Sequence, residues 1–251
     1  MLILAMDTST MVGGVALLKD GVALGEHILN VRATHSERLM SSVEALMAAA
    51  GVAPGDLDAI ACGAGPGSFT GVRIGMSACK AMAYALAIPI VSVPSLDALA
   101  YGRGKGAPTV WCLVDARHGR CYSASFVAPQ SADAWRSERT SAYAVRHVGE
   151  IAALARETVS APASSVSGDN GRRARVLFLG DGALAYAESL RRELPGAAEI
   201  PPAPMCILRP SQVGLLGYDL LRAGAADDPA GIVPMYLGPS EAEARLAEGK
   251  R

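Results

Sequence analysis

The sequence predicts an α/β protein in which one β-β-β-α-β-α unit occurs twice. The apolar strand at 2–6 ends at Asp7, and strands at 12–18 and 22–29 follow it around an Asp-Gly turn. The strand at 109–115 also ends in an aspartate, and a turn through Gly119 leads to another strand at 121–127. This order is the plan of the two-lobed actin-like, ribonuclease-H-like folds. We therefore expect an N-terminal lobe at 1–105 and a C-terminal lobe at 106–251.

The rest of the first half alternates helices and strands. Thr34-x-x-Glu37 is a capping box, and apolar residues then recur at helical spacing until Gly51. The later elements are a strand at 59–64, a helix near 71–87, a strand at 88–93 and a helix from Ser95.

The second half contains less regular stretches between its elements. We expect a helix at 147–157, a strand at 176–180, a helix at 183–193 and a helix from Pro210 to about 223. The Ser-, Ala- and Gly-rich stretch 160–175 is typical of a mobile insertion, and the prolines at 201–204 indicate a stiff connector. The tail predicts a strand at 232–237 and then a charged end at 241–251.

Composition limits the classes of function. Hydrophobic residues make up 51% of the chain and charged residues 19%, which excludes a disordered protein. The net charge of −1 provides no general attraction to nucleic acid, so any RNA contact needs a local patch or a partner. The five cysteines are an odd number without a Cys-x-x-Cys pair, which indicates reduced thiols. No signal peptide or apolar run of membrane-spanning length is present, so we expect a cytoplasmic protein without a membrane partner.

The glycine-rich loop from Gly65 to Gly75 is the most informative stretch. Its glycines, including Gly67, allow a tight path with N–H groups aimed at one point, and a helix begins directly behind it. This geometry suits either a phosphate or a plain strand-to-helix turn. It is not a P-loop, because no Gly-Lys-Ser/Thr follows, and it lacks the third glycine of a dinucleotide fingerprint.

Two aspartates could complete a nucleotide site. Asp7-Thr8-Ser9 follows the first strand and Asp115 ends the equivalent strand, where a pair of carboxylates could hold a magnesium–phosphate unit. The alternative is that both aspartates cap turns. Gly180-Asp181-Gly182 is the only candidate for an adenosine loop. The four histidines lack metal-ligand spacing, and Ser77-x-x-Lys80 is best interpreted as part of a helix, so we assign no catalytic or metal-binding residue.

Several longer strings then carry a family resemblance. They are LAMDTST, THSERL, GAGPGSFTGVRIG, IPIVSVPSLDALA, LVDARHGRCYSA and VPMYL. The chain resembles the TsaB (YeaZ) family of bacterial tRNA threonylcarbamoyladenosine biosynthesis proteins, closely over 1–127 and by element order beyond. The resemblance implies an ASKHA fold and a role in forming N6-threonylcarbamoyladenosine at position 37 of tRNAs that read codons beginning with A. It also implies two partners, a TsaD-like transferase and a TsaE-like ATPase, with tRNA contacted through the complex.

The resemblance further implies a subunit without catalysis of its own. The transferase paralogue carries an Asn-His-x-x-x-His stretch, and Ser95 and Leu99 stand here in place of its metal-binding histidines. We therefore expect no cofactor in the chain itself and leave ATP or ADP with magnesium to the complex. The alternative is a stand-alone actin-like ATPase or kinase that uses Asp7 and Asp115.

A partner surface is expected on two helices of the N-terminal lobe. The candidate residues are small or apolar residues on neighbouring helices together with one glutamate: Met40, Glu44, Gly71, Gly75, Ala78 and Met82. The alternative is that these small residues pack against the protein's own sheet. The resemblance favours a surface that binds TsaD or, in its absence, a second copy of the chain.

Overall fold

Three consecutive strands begin the first of two units. Leu2–Asp7 (β1), Gly13–Lys19 (β2) and Val22–Leu29 (β3) are antiparallel, and Ala59–Gly63 (β4) and Ile90–Val93 (β5) extend the sheet in the order β3-β2-β1-β4-β5. β4 is parallel to β1, and β5 is parallel to β4. Asp20 and Gly21 both have positive φ in the β2–β3 turn, which matches the predicted Asp-Gly hairpin.

The structure is a computed structural model that describes residues 1–30, 35–102, 109–127, 136–160 and 175–238. Thr34 of the predicted capping box, most of the 160–175 stretch and the charged end at 241–251 lie outside the described residues. The chain divides into two compact units, Met1–Ala98 with Arg209–Arg251, and Leu99–Leu208.

Helices cover both faces of the first sheet because side chains alternate along each strand. His35–Ala50 (α1) and Phe69–Leu86 (α2) bury apolar side chains against Leu4, Met6 and Ile60. Pro210–Arg222 (α8) packs on the opposite face, where Gly214 lies against Ala5 and Leu18. Ser95–Ala100 (α3) follows β5.

The second unit repeats this strand order. Its sheet consists of Thr109–Asp115 (β6), Arg120–Val127 (β7), Glu138–Arg139 (β8), Ala144–His147 (β9), Val176–Leu179 (β10) and Ala198–Glu199 (β11). The order is β11-β10-β6-β7-β8, with β9 also paired to β7. β6, β7 and β10 therefore correspond to β1, β2 and β4, which confirms the duplicated α/β unit of an actin-like fold.

Among the described residues of the second unit, three shorter helices follow the long helix Val148–Ser160 (α4). The predicted helix at 183–193 is wrong in detail, because Asp181–Ala185 (α5) and Ala187–Glu193 (α6) are separated at Tyr186. Its φ of −112° and ψ of 21° interrupt the helical path. A short helix, Ala203–Cys206 (α7), starts within the predicted proline connector.

Two expectations for the C-terminal part differ from the structure. Residues 209–238 belong to the first unit, whereas the sequence placed all of 106–251 in one lobe. The predicted strand at 232–237 is not a strand, because this segment hydrogen-bonds to a helix side chain and a loop instead of a sheet edge. In the described part of the chain, no helix is both long and apolar enough to span a membrane.

Candidate functional site

The loop after β1 is buried and bonded to itself. Asp7, Thr8 and Ser9 are each no more than 2% exposed. Asp7 Oδ1 accepts hydrogen bonds from the Ser9 backbone N–H at 3.0 Å and from Ser9 Oγ at 2.8 Å. Asp7 Oδ2 accepts a third hydrogen bond from Ser95 Oγ at 3.1 Å. The buried carboxylate therefore organises the end of β1 and the start of α3.

The glycine-rich loop packs directly on this loop. Ser68 caps α2 by accepting the Gly71 N–H at 3.2 Å, and its own N–H donates to Ser9 O at 2.7 Å. A Cβ at Gly67 would overlap Ser9 O. The glycine therefore permits a close approach between two segments of the same chain.

Two further glycines serve the same approach inside α2. A Cβ at Gly71 would overlap Thr8 O, and a Cβ at Gly75 would overlap Thr8 Oγ1. Thr8 Oγ1 in turn donates to Gly71 O at 2.6 Å. The structure thus brings together Asp7, Thr8, Ser9 and the glycine loop, and nucleotide binding by these residues stays a prediction.

Asp115 anchors a separate cluster in the second unit. Its Oδ1 accepts hydrogen bonds from the Arg117 N–H at 2.8 Å and from Tyr186 Oη at 2.9 Å. Tyr186 Oη also accepts the Gly119 N–H at 3.1 Å, and Asp181 Oδ1 accepts the Asp115 N–H at 3.0 Å. Asp115 belongs to the second unit and Asp7 to the first, so the predicted pairing of the two carboxylates stays a prediction.

Burial dominates the electrostatics of this cluster. Burial raises the pKa of Asp181 to about 6, and the charge of Asp115 raises it as well. Hydrogen bonds from backbone N–H groups lower this pKa but do not outweigh the burial. Burial likewise raises the pKa of Tyr186 and that of the Cys121 thiol. In the sequence Asp181 stands out only because glycines flank it, and Tyr186 carries no signal, because neither residue lies near Asp115 in the chain.

The glycines beside Asp181 pack against β6. A Cβ at Gly180 would overlap Leu113 O, and one at Gly182 would lie 2.9 Å from Cys121 Sγ. Their small size is thus accounted for by contacts within the protein, whereas the sequence suggested an adenosine loop.

The expected partner residues divide into three groups. Met40 is 47% exposed on α1, and Glu44 is also exposed. Ala78 and Met82 are half-buried against the first core. Gly71 and Gly75 are buried, which corrects the expectation that they face outward, because both lie against Thr8.

Ser95 and Leu99, which the resemblance sets in place of the transferase's histidines, are also buried. Ser95 is fully buried and bonds to Asp7, and Leu99 is 1% exposed. Among the residues that the structure describes, no group of three or more His, Cys, Asp and Glu side chains could hold a metal ion.

The fold and these loops define an α/β protein of the actin-like class, and comparison with known proteins narrows the class to a family. Residues 29–246 match the family model described as "TsaD: tRNA N6-adenosine threonylcarbamoyltransferase". The Bacillus subtilis tRNA threonylcarbamoyladenosine biosynthesis protein TsaB is 32% identical over 251 residues, covering 100% of both chains. The Escherichia coli protein of the same name is 37% identical over 57% of this chain and 62% of its own length.

A solved structure agrees with these relatives. YeaZ from Pseudomonas aeruginosa has a TM-score of 0.70 and 30% identity over 94% of this chain and 99% of that chain. The chain therefore belongs to the TsaB (YeaZ) family.

Proposed function

We propose that this protein is a non-catalytic subunit of the machinery that forms N6-threonylcarbamoyladenosine at position 37 of tRNAs reading codons that begin with A. Membership in the TsaB family supports involvement in tRNA threonylcarbamoyladenosine biosynthesis. In this proposal the chain binds and supports a TsaD-like transferase together with a TsaE-like ATPase.

The packing of the glycine loop is the observation that carries the non-catalytic role. In a phosphate site, loop N–H groups and a nearby carboxylate face a ligand. Here Gly67, Gly71 and Gly75 instead make room for Ser9 and Thr8. The Asp7 carboxylate holds Ser9 and Ser95 at the same place. These residues thus have partners within the protein. This supports the proposal that the chain is a scaffold subunit that retains the fold of an enzyme.

The partner surface in this proposal lies on α1 and α2. Met40 on α1 is 47% exposed, and Tyr84 on α2 is 83% exposed. Glu44 on α1 and Ala81 on α2 are exposed as well. Exposed Met and Tyr side chains are enriched at the centres of protein interfaces.

The substitution Met40→Glu tests this surface, and Met205→Glu is its matched control. Met205 is 54% exposed on α7 of the second unit. A charge buried without a partner costs several kcal/mol, so Met40→Glu should weaken binding to the purified transferase from the same cell by at least about tenfold. Met205→Glu should bind like the wild type. Isothermal titration calorimetry measures both affinities, and circular dichroism checks that both variants are folded.

A tRNA modification assay tests the function itself. Transferase and ATPase should modify tRNA efficiently with this chain and poorly without it, and Met40→Glu should lower the yield. Unchanged affinity for Met40→Glu would place the partner surface elsewhere. ATP turnover by the purified chain alone would instead favour the actin-like ATPase.

A further inference from the structure

The last described segment crosses the first unit, and we name residues 227–238 the C-terminal strap. The strap begins at the edge strand β5. Asp227 donates its N–H to Ile90 O at 2.7 Å, and its Oδ2 accepts hydrogen bonds from the Ser92 N–H at 2.6 Å and Ser92 Oγ at 2.7 Å. One residue thus occupies hydrogen-bonding groups of β5 that an edge strand otherwise presents to solvent.

The middle of the strap is fastened to α2. Ile232 is 7% exposed and belongs to the apolar core of the first unit. Lys80 Nζ donates to Ala230 O at 3.2 Å and to Ile232 O at 3.1 Å. A side chain of α2 therefore satisfies strap carbonyls that have no sheet partner.

The end of the strap holds the glycine-rich loop. The Met235 N–H donates to Ala64 O at 2.8 Å, and Met235 O lies 3.3 Å from the position of a Cβ on Gly65. Because Ser68 in the same loop bonds to Ser9, the strap connects through this loop to the buried loop after β1.

An aromatic and cationic cluster closes the strap over the start of α2. The Tyr236 and Phe69 rings stack with centroids 4.8 Å apart and planes at 29°. Arg73 Nε donates to Tyr236 Oη at 2.7 Å, and its guanidinium carbon lies 3.8 Å from the Phe69 ring centroid. Tyr236 therefore joins the strap to two residues of α2 at once.

The strap is held by surface contacts more than by burial. Ile232 is its one buried apolar side chain among the described residues, whereas Val233 is 73% exposed and Tyr236 is 42% exposed. Segments with few buried apolar contacts open at a lower free energy than the whole domain. We therefore expect the strap to open at a lower free energy than the sheet beneath it.

We propose that the C-terminal strap is a conformational latch for the glycine-rich loop, closed by Tyr236 on Phe69 and Arg73. In the closed state the strap fixes Ala64 and Gly65 and covers the Phe69–Arg73 pair. In the open state these two side chains become accessible, and the loop at 64–68 gains freedom.

Amide hydrogen exchange on the full chain tests the latch. Tyr236→Ala removes the ring stack and the Arg73 bond, whereas Tyr236→Phe removes only the bond. Leu24→Ala is the control, because Leu24 is 48% exposed on β3, at the opposite edge of the first sheet from the strap. We expect Tyr236→Ala to speed amide exchange at least tenfold both at Met235 and at Ser68. Tyr236→Phe should have a smaller effect, and Leu24→Ala should have none.

The buried strand β1 provides the internal reference for this experiment. Its Ala5 amide should keep its wild-type exchange rate in Tyr236→Phe and change less than the Ser68 amide in Tyr236→Ala. The proposal is overturned if the strap exchanges faster while Ser68 does not, because the two segments are then uncoupled. It is also overturned if Ala5 accelerates as much as Ser68, since the strap is then part of one cooperative fold.

Discussion

The glycines of α2 illustrate how single residues decide the candidate site. Glycine inside a helix is destabilising relative to alanine by about 1 kcal/mol, so its presence needs a reason. At Gly71 and Gly75 the reason is the contact with Thr8, which leaves no room for a Cβ. The same residues that suggested a ligand loop or an outward surface thus serve close packing between α2 and the loop after β1.

Gly75→Ala should therefore destabilise the protein despite the better helix propensity of alanine. We expect the free energy of unfolding to fall by about 2 kcal/mol, because overpacking at Thr8 Oγ1 outweighs the propensity gain. Gly55→Ala is the control, since nothing lies within 4 Å of its Cβ, and it should change stability by less than about 0.5 kcal/mol.

A double-mutant cycle isolates the contact. Thr8→Ala removes the hydroxyl that the new Cβ meets, so Thr8→Ala/Gly75→Ala should lose less stability than the sum of the single variants, by about 1 kcal/mol. Urea denaturation measures all four proteins. Strict additivity would show that Thr8 does not limit the space at Gly75.

Asp181 makes stability depend on pH in the unusual direction for a carboxylate. Its pKa is raised to about 6 from the ordinary value of 3.8, so the folded state binds a proton more readily than the unfolded state between these values. This contribution to stability is therefore present below about pH 4, is lost as the pH rises through 6, and is absent above about pH 7.

Asp181→Asn should abolish that dependence, because asparagine stays neutral and keeps an oxygen for the Asp115 N–H. Relative to the wild type, the variant should gain on the order of 2 kcal/mol in free energy of unfolding between pH 4 and pH 7. Denaturant titrations at several pH values measure this difference. A difference that stays constant with pH would contradict the raised pKa.

At the scale of elements, α8 shows how a helix is matched to its sheet. Pro210 begins the helix, and Glu26 on β3 accepts the Ser211 N–H at 2.7 Å and forms an ion pair with Arg209. Gly214 and Gly217 then bring the helix close to the strands. Hydrogen bonds therefore hold the start of α8 on the first sheet. Close packing of Gly214 and Gly217 against the strands holds the rest of the helix.

A size swap tests this fit. A Cβ at Gly217 would lie 2.6 Å from Ala61 Cβ, so Gly217→Ala should lower the free energy of unfolding by about 1–3 kcal/mol. Ala61→Gly alone should also destabilise, because it removes a buried methyl and adds backbone entropy. Combined, the two changes should destabilise less than their sum in denaturant unfolding. If the effects simply add, the cost of Gly217→Ala does not come from its contact with Ala61.

At the scale of the whole molecule, the chain enters and leaves the second unit once. Residues 99–208 form that unit, and 209–238 return to the first as α8 and the C-terminal strap. The first sheet thus has helices from both ends of the chain on its two faces. The lobe boundary predicted at residue 105 therefore separates α8 and the C-terminal strap from the unit to which they belong.

The sequence by itself was enough for most of the local elements and for the family. Apolar runs with an Asp-Gly turn predicted β1 to β3, Pro210 predicted the start of α8, and the glycine-loop strings carried the resemblance to TsaB proteins. These features depend on neighbouring residues, so a single sequence contains their signals.

Only the tertiary structure decided which elements and side chains meet. It placed α8 on the first sheet, set Tyr186 between Asp115 and Gly119, and turned Gly71 and Gly75 inward to Thr8. It also laid residues 232–237 on α2 although their composition favoured a strand. Such contacts join residues far apart in the chain, and their packing and hydrogen bonds override local propensity.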